Sequence, residues 1–353
     1  MFAYVGGYTT ADRDGRGNGI NVFRIAPAGL DWTHIQHLGE LENPSLFTLN
    51  RDNTRLYVVH GARTLVSAFS RNPLDGRLTL LSQLPCEGRN PVDCALDPAE
   101  RHLIVGNYDT GAVVVMPLRE DGGLLPVSQS HTLEGAPGPD PVQQVSSHPH
   151  AVIFDPHGRF VIVPDKGLDR TFVFRFDAGR IQPSAQGSVQ SRPGAAPRHA
   201  TFHPRLPILY VNNELDSTVT TFAWDGTTGE LAERQTIASV KDGDGAKNTT
   251  AEIAILPDGR FLYVSNRGRD TVAQFAVDPG SGMLTLLTEV PTGGAKPRFF
   301  TLDPGGTMIY VANQDSHDIT AFSIDLGSGV LSPLGVVATI GSPSAISLVP
   351  APV

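Results

Sequence analysis

The residues best suited to chemistry are charged side chains at two equivalent positions of a repeated sequence unit. The first position follows the proline that opens each unit, and the second follows the unit's second apolar run. The later units place there His150, Lys166, Arg198, Glu214, Arg267 and Arg298. His199 and Glu252 lie one residue beyond the first position of their units. A pocket of several cations, a carboxylate and a histidine suits an anionic substrate and a proton transfer or an attack by water.

The other units lack these charges, so the scaffold itself does not require them. The equivalent residues are Ser45, Val92, Ala251 and Ser344 at the first position and Tyr8, Gly61, Tyr108 and Gln314 at the second. Convergent charges in a cleft are costly unless they are paired or used, so the set predicts a binding pocket. We expect Gln314, Tyr8 and Tyr108 to add polar groups to it. A simpler alternative stays open for single residues: Arg298 pairs with Glu252, or Lys166 is solvated at the rim.

Two other series recur in several units, and their recurrence indicates structural roles. The asparagines are Asn107, Asn213, Asn266 and Asn313, and the tyrosines are Tyr57, Tyr210, Tyr263 and Tyr310. We expect the asparagines to bond the backbone of a turn and the tyrosines to pack the units together.

The elements that position the charges follow from the repeat. Short apolar runs divided by turn residues recur at 150–176, 198–222, 251–277 and 298–324. The first residues of the units are Pro44, Pro91, Pro149, Pro197, Thr250, Pro297 and Pro343, which gives spacings of 47, 58, 48, 53, 47 and 46. A unit of roughly 46 residues accommodates four strands with their turns, which is one propeller blade. In such a blade the first strand starts and the second ends at the same mouth of the ring, so both charged positions meet there.

The two ends of the chain complete the count of blades. Residues 1–40 have the pattern of a unit without its first strand, and residues 344–349 that of a first strand with nothing after it. Pairing the two closes the ring without a long exposed edge. The sequence therefore predicts an all-β fold, a seven-bladed propeller of four-stranded antiparallel blades in which the C-terminal strand closes the N-terminal blade. We expect residues 1–353 to form a single domain.

Two units are longer than the others because of insertions near 131–147 and 238–248. Both fall between a fourth strand and the next first strand, so we expect them to lie over the mouth that holds the charges. The run Asp242-Gly243-Asp244-Gly245 lacks the further carboxylates of a calcium loop, and we interpret it as a solvated turn.

Composition excludes several classes of function. The formal charge of −9 argues against nucleic acid or an acidic membrane as a partner. Cys86 and Cys94 are too few for a disulfide framework and are expected to be buried structural thiols.

His148 and His150 have no third ligand at a matching spacing, and no nucleotide-loop or nucleophile-elbow motif is present, so we expect no metal and no cofactor. The start of the chain lacks a secretory signal and no apolar run reaches ~20 residues, which predicts a cytoplasmic protein that does not cross a membrane.

Six short motifs also carry a resemblance to a known family. They are Tyr4-Val5-Gly6-Gly7-Tyr8-Thr9, His148-Pro149-His150, Pro197-Arg198-His199, Asn213-Glu214-Leu215-Asp216-Ser217, Asn266-Arg267-Gly268 and Pro297-Arg298-Phe299. Together they resemble the seven-bladed lactonase family, which contains propeller-type 6-phosphogluconolactonases and 3-carboxy-cis,cis-muconate lactonizing enzymes. The resemblance implies that His150, Arg198, Glu214 and Arg267 are catalytic. The sequence departs from the family at Ala251, which is not polar, and at Lys166, where relatives often carry an apolar residue.

For the remaining polar residues of the mouth we expect substrate binding: Lys166, His199, Glu252, Arg298 and Gln314. The function that this set and the resemblance favour is metal-independent hydrolysis of a sugar lactone, 6-phosphoglucono-δ-lactone above all. His150 or Glu214 would activate water, and Arg198 with Arg267 would stabilise the oxyanion. Arg298 and Lys166 would hold a remote phosphate. The alternatives are a cycloisomerase that forms a lactone from 3-carboxy-cis,cis-muconate and a propeller that binds an anionic ligand or a protein without catalysis.

Overall fold

The repeated units fold into seven four-stranded antiparallel sheets, which confirms the predicted propeller. The computed structural model describes residues 1–241 and 248–351. The inner strands of successive sheets contact each other around most of the ring, and between the fourth and fifth sheets a second strand contacts the next inner strand, so the sheets surround a central channel. The described residues include one short helix, a 3-10 turn over Ala11–Arg13. In this part of the chain no helix has the length and apolar character needed to cross a bilayer.

The strands are numbered β1 to β28 along the chain. The blades are numbered 1 to 7 in the order in which their second strands occur in the sequence. Blade 1 contains β1 (Phe2–Gly7), β2 (Ile20–Ile25), β3 (Trp32–Leu38) and β28 (Pro343–Val349). Blade 2 contains β4 (Pro44–Leu49), β5 (Arg55–His60), β6 (Leu65–Arg71) and β7 (Leu78–Pro85). Blade 3 contains β8 (Pro91–Leu96), β9 (His102–Asn107), β10 (Ala112–Pro117) and β11 (Gln129–Thr132). Blade 4 contains β12 (Ile153–Phe154), β13 (Phe160–Asp165), β14 (Arg170–Asp177) and β15 (Arg180–Gln190).

The last three blades have the same arrangement of four strands. Blade 5 contains β16 (Pro197–Phe202), β17 (Ile208–Asn213), β18 (Thr218–Asp225) and β19 (Glu230–Ala238). Blade 6 contains β20 (Thr249–Ile255), β21 (Phe261–Arg267), β22 (Thr271–Val277) and β23 (Leu284–Pro291). Blade 7 contains β24 (Pro297–Leu302), β25 (Met308–Asn313), β26 (Asp318–Ile324) and β27 (Leu331–Thr339).

The C-terminal strand closes the ring as predicted. β28 is the innermost strand of blade 1 and pairs antiparallel with β1, from Phe2 opposite Val349 to Gly7 opposite Pro343. Ala345 and Val349 are buried in the core between blades 1 and 2. Because both ends of the chain meet in one sheet, β1 is paired along both of its edges.

Aspartates fix the turns that join the first two strands of several blades. In blade 4, one carboxylate oxygen of Asp155 accepts hydrogen bonds from the backbone N–H groups of Arg159 (2.6 Å) and Phe160 (2.7 Å). Gly158 supplies the left-handed conformation of this turn, with φ of 65°. Asp303 bonds the two equivalent N–H groups in blade 7. These turns set the register of the inner strand, and therefore the height of each side chain along the channel.

The tyrosine series ties neighbouring blades together, as expected. Each hydroxyl donates to a glycine carbonyl in the hairpin between the third and fourth strands of the next blade: Tyr57 to Gly122, Tyr210 to Gly282, Tyr263 to Gly329 and Tyr310 to Gly29. Tyr4, which bonds Gly76, is a fifth member that the sequence interpretation missed. The asparagines match the expectation only in part. Asn107 and Asn266 donate to backbone carbonyls, those of Cys86 and Ser239. Asn213 donates instead to two threonine hydroxyls of the third strand, and Asn313 to the Asp318 carboxylate and the Thr320 hydroxyl.

Apolar clusters fill the spaces between blades. Both cysteines are free and buried in the cluster between blades 2 and 3, as predicted. Burial raises the pKa of Cys86 to about 11 and that of Cys94 to about 12, which fits structural thiols.

The first insertion lies against the mouth that holds the charges. The Gln144 amide donates to the backbone carbonyl of Lys166 (2.8 Å) and to a carboxylate oxygen of Asp169 (2.7 Å). The second insertion is only partly described: residues 242–247, including the run that we interpreted as a solvated turn, lie outside the described residues.

Candidate active site

One mouth of the channel holds a polar cavity of about 230 Å³. Its lining comes from the ends of inner and second strands and from two loops: Tyr8, Arg13, Asn90, Val92, Tyr108, Gln143, His150, Lys166, Glu214, Arg267 and Arg298. The lining therefore includes three of the four residues that the family resemblance makes catalytic. The fourth, Arg198, lies directly beneath, in a narrower cavity that His150 and Arg298 also line.

Glu214 is the centre of the charge cluster. One carboxylate oxygen, Oε1, lies 2.7 Å from Nζ of Lys166 and 3.3 Å from Nη2 of Arg267. The other, Oε2, lies 3.0 Å from Nε of Arg198. This last contact is an ion pair but not a hydrogen bond, because the Arg198 Nε–H does not point towards an acceptor. Its guanidinium instead donates through Nη1 to the carbonyl of Ala251.

The electrostatic environment keeps Glu214 ionised. Burial raises the pKa of its carboxyl, but the charges of Arg267, Lys166 and Arg198 outweigh burial and hold that pKa well below its usual range. A carboxylate that is so strongly stabilised is a poor proton acceptor. Glu214 therefore acts as an anchor that holds three cations together at the mouth.

The environment of His150 disfavours the charged form of its side chain, in contrast to that of Glu214. Its ring is buried, and Nδ1 has no hydrogen-bond partner among the described residues. The Tyr108 ring packs against its edge at a centroid distance of 5.5 Å. Burial, followed by the positive charge of Arg198, lowers the pKa of His150 well below its usual value. The imidazole is therefore neutral at pH 7 and is the stronger base of the two candidates.

A second cationic group faces the same cavity around Tyr8. The guanidinium of Arg13 lies 4.3 Å from the centroid of the Tyr8 ring, and that of Arg298 lies 5.1 Å from it. Among the described residues neither arginine has a carboxylate within ion-pair distance. Although burial raises the pKa of Tyr8, the charges of Arg298 and Arg13 outweigh it and lower that pKa. In the part of the chain that the structure describes, the positive charge on this side of the cavity has no counter-ion.

His199 and Glu252 lie deeper than the sequence interpretation placed them. They line the central channel below the narrow cavity, and Nδ1 of His199 lies 3.0 Å from a carboxylate oxygen of Glu252. Glu252 thus pairs with His199, and the alternative pairing with Arg298 is not formed. Gln314 also departs from the predicted group: its amide bonds Asp315 (3.3 Å), and it lines neither of the two cavities at the mouth.

Three lining residues escaped the sequence interpretation because they lie outside the two repeated positions. Arg13 comes from the short helix after β1, and Gln143 comes from the first insertion, where its amide oxygen accepts from Nζ of Lys166 (2.7 Å). Asn90 directly precedes the opening proline of blade 3. The length of the first insertion could have indicated that Gln143 reaches the cavity. Nothing in the sequence around Arg13 indicated the same for that residue. Among the described residues no group of three His, Cys, Asp or Glu side chains could hold a metal ion.

The fold and the site define a seven-bladed propeller with a pocket lined by several cations at one mouth of its channel. The family model described as "Lactonase, 7-bladed beta-propeller" matches residues 2–348. A curated 6-phosphogluconolactonase of Bacillus subtilis is 33% identical over 305 residues, which are 85% of this chain and 84% of that protein. One of Serratia proteamaculans is 30% identical over 80% of this chain and 81% of its own length.

A solved structure gives the same result in three dimensions. The periplasmic gluconolactonase of Pseudomonas aeruginosa superposes with a TM-score of 0.90 and 33% sequence identity, over 99% of each chain. The chain belongs to the seven-bladed β-propeller lactonase family. The resemblance inferred from the six sequence motifs is therefore confirmed.

Proposed function

We propose that the protein hydrolyses a phosphorylated sugar lactone at the mouth of blades 4 to 7, with 6-phosphoglucono-δ-lactone as the first substrate to test. The observation that carries this proposal is the separation of charge within one cavity. Glu214 holds Lys166, Arg267 and, beneath the cavity, Arg198 near the neutral His150. Arg13 and Arg298 face the cavity with no carboxylate of the described residues within ion-pair distance. The neutral base beside the first group of cations fits the ester carbonyl of a ligand. The second group of cations fits a phosphate at a distance from that carbonyl on the same ligand.

The reaction needs a base, an oxyanion site and an acid for the leaving group. His150 takes a proton from water as the water oxygen bonds to the lactone carbonyl carbon. Arg267, with Arg198 beneath it, stabilises the negative charge on the former carbonyl oxygen. The ring C–O bond then breaks, and His150 returns the proton to the departing alkoxide oxygen. The carboxylic acid product ionises at neutral pH, so each turnover releases one net proton.

The phosphate is assigned to Arg298 and Arg13. Guanidinium groups suit phosphate because their planar donors can bond two oxygens at once. Lys166, which the sequence interpretation paired with Arg298 for this purpose, is already engaged by Glu214 and Gln143. Lys166 instead holds Glu214 in place and thereby sets the position of the catalytic cluster along the channel. Glu214 likewise positions Arg198 and Arg267 rather than removing a proton.

The testing experiment compares substrates with the purified full-length protein in the presence of a chelator. We expect turnover of 6-phosphoglucono-δ-lactone, with a lower KM than for the unphosphorylated glucono-δ-lactone. Turnover of 3-carboxy-cis,cis-muconate alone would replace hydrolysis by cycloisomerisation. Binding of sugar phosphates without turnover of any of the three would assign the pocket to a non-catalytic propeller.

A cytoplasmic location is part of the same proposal. The similar gluconolactonase of Pseudomonas aeruginosa is a periplasmic protein, so the compartment needs its own test. Fractionation of the native host, with detection of the protein by antibody, should place it with cytoplasmic markers.

A further inference from the structure

Three cavities follow one another along the channel axis, and two histidines link them. His150 lines both the polar cavity at the mouth and the narrow cavity beneath it. His199 lines both the narrow cavity and the wide channel below, whose volume is about 520 Å³. The centroids of the two imidazole rings are 5.3 Å apart. The site is therefore connected to the channel through a pair of titratable side chains.

The narrow cavity has the size and lining of a water site. Its volume is about 20 Å³, and roughly 10–15 Å³ is enough for one water molecule. Its polar lining consists of Ser45, Ser344, Tyr8, Arg198 and Arg298 in addition to the two histidines. A water molecule there would find the two to four hydrogen-bond partners that buried water requires. Such a water can bridge the two imidazoles.

A carboxylate holds His199 in one tautomer. Both oxygens of Glu252 lie within hydrogen-bond distance of Nδ1, at 3.0 and 3.1 Å. A carboxylate only accepts, so Nδ1 carries the proton and Nε2 is left as the acceptor. Glu252 also stabilises the imidazolium that forms when Nε2 takes a proton. This arrangement of a carboxylate behind a histidine orients proton transfer in many enzymes.

The charges on the two sides of this pair differ in sign. Arg13, Arg267, Arg298 and Lys166 line the mouth, and Arg198 and Arg298 line the narrow cavity, so positive charge opposes a proton that stays in either place. Glu252 and Asp93 line the channel below. Burial and the charge of Glu252 raise the pKa of Asp93 to about 7 despite two backbone N–H donors, so this carboxyl can exchange a proton near neutral pH.

We propose that His199, oriented by Glu252, is a positioning residue that carries the net proton of each turnover from His150 through the narrow cavity to water in the channel. The inference rests on the proposed hydrolysis, which releases that proton. The carboxylic acid product gives its proton to the neutral His150, and the proton moves through the bridging water to Nε2 of His199 while the Nδ1 proton passes to Glu252 and then to the channel. A turn of the His199 ring restores the resting tautomer. No bond other than those to hydrogen changes. The substrate can therefore close the mouth without trapping the proton.

Charged and aromatic side chains surround both imidazoles. Those around His150 are Arg198, His199, Glu214, Arg298 and Tyr108, and those around His199 are Glu252, Arg198, Arg298 and His150. Burial, opposed by the charge of Glu252, lowers the pKa of His199, so its imidazole is neutral at rest and ready to accept.

The test measures kcat and KM of His199→Gln and Glu252→Gln on the lactone that the wild type hydrolyses, across pH and at rising imidazole concentration. We expect kcat to fall roughly tenfold in both variants, which is below the range for a group that acts directly on the substrate, with KM within about twofold. Imidazole, a diffusible proton carrier that fits the wide channel, should restore much of the lost kcat in His199→Gln and leave the wild type unchanged. His131→Gln, a histidine on β11 outside the site and channel, is the matched control and should behave as wild type.

The outcomes separate the two proposals. If His199→Gln unfolds, Glu252→Gln, which keeps the imidazole, must still show the fall in kcat and an altered pH profile. Folded variants with wild-type kcat, or with a loss that imidazole does not relieve, overturn the relay alone. Absence of turnover by the wild type on every lactone overturns the proposed function and the relay with it.

Discussion

The ammonium of Lys166 lies 2.7 Å from a carboxylate oxygen of Glu214, and this ion pair joins blades 4 and 5 at the mouth of the channel. Both side chains are buried. Arg198 and Arg267 complete the cluster from blades 5 and 6. One carboxylate thus sets the positions of three cations that come from three blades. Buried ion pairs of this kind contribute little net stability but are costly to break.

Replacement of the central carboxylate should therefore affect both activity and stability. In Glu214→Gln, three buried or nearly buried cations lose their counter-ion, which we expect to cost about 3–5 kcal/mol of unfolding free energy and to lower kcat/KM by about 10²-fold or more. Denaturant unfolding and steady-state kinetics measure the two effects. The double variant Glu214→Gln, Lys166→Met should regain part of the stability, because one unpaired cation is removed. Equal stability of Glu214→Gln and wild type would contradict this account of the cluster.

Arg298 should discriminate between phosphorylated and unphosphorylated lactones. Loss of a charge-assisted contact to phosphate is worth about 1.5–3 kcal/mol, so Arg298→Met should raise KM for the phosphorylated lactone about tenfold or more. The KM for the unphosphorylated lactone should change little. Arg101→Met removes an exposed arginine from the hairpin between the first two strands of blade 3 and serves as the matched control. An equal loss on both lactones would remove the phosphate contact from Arg298.

The pH dependence of kcat/KM should identify the base. The folded pKa of His150 lies well below its ordinary value of 6.5, so the neutral imidazole persists at neutral pH. We expect kcat/KM to stay level from pH about 8 to below 6.5 and to fall only as the pH drops through the lowered folded pKa. His150→Gln should lose about 10²-fold of the rate or more, together with this acid limb. A rise of the rate towards acid pH would contradict a neutral histidine base.

The same shifts predict the effect of acid on stability. Folded His150 binds its proton only at a lower pH than the unfolded chain does, so it destabilises the fold increasingly as the pH falls below 6.5. The folded pKa of Glu214 is depressed, so its contribution is present above the ordinary value of 4.5 and is lost as the pH falls through the folded pKa. Thermal unfolding of wild type and His150→Gln at decreasing pH measures the first contribution. The variant should lose less stability than the wild type below pH 6.5.

Removal of the closing strand should open the ring. Deletion of residues 343–353 leaves one edge of β1 unpaired and exposes the apolar core between blades 1 and 2. We expect an insoluble protein or a large fall in Tm, whereas deletion of residues 351–353 alone should change Tm little. If residues 1–353 form one domain, as we predict, calorimetry of the full chain should show a single cooperative transition. A truncated protein that melts like the full chain would contradict closure by β28.

The sequence was sufficient for the architecture because a propeller blade is encoded locally and seven times over. Strand periodicity and the Asp-Pro turns predicted the strands, and the spacing of the opening prolines predicted the blades. Since equivalent residues of all blades reach the same height along the channel, the sequence also predicted which charges approach one mouth. This explains why His150, Lys166, Glu214, Arg267 and Arg298 line one cavity in the structure.

Pairing within the site depended on distances that only the folded ring defines. His199 and Glu252 are 53 residues apart and meet across two blades, one step below the mouth, because the register of the inner strands sets their depth. Gln314 bonds its neighbour Asp315 although it follows a second strand like Glu214 does. Arg13 and Gln143 reach the cavity from loops, whose paths follow from long-range contacts rather than from any repeat. The sequence alone thus determined the ring and the set of charges at its mouth, whereas the tertiary structure decided which charges neutralise one another and which remain free for a ligand.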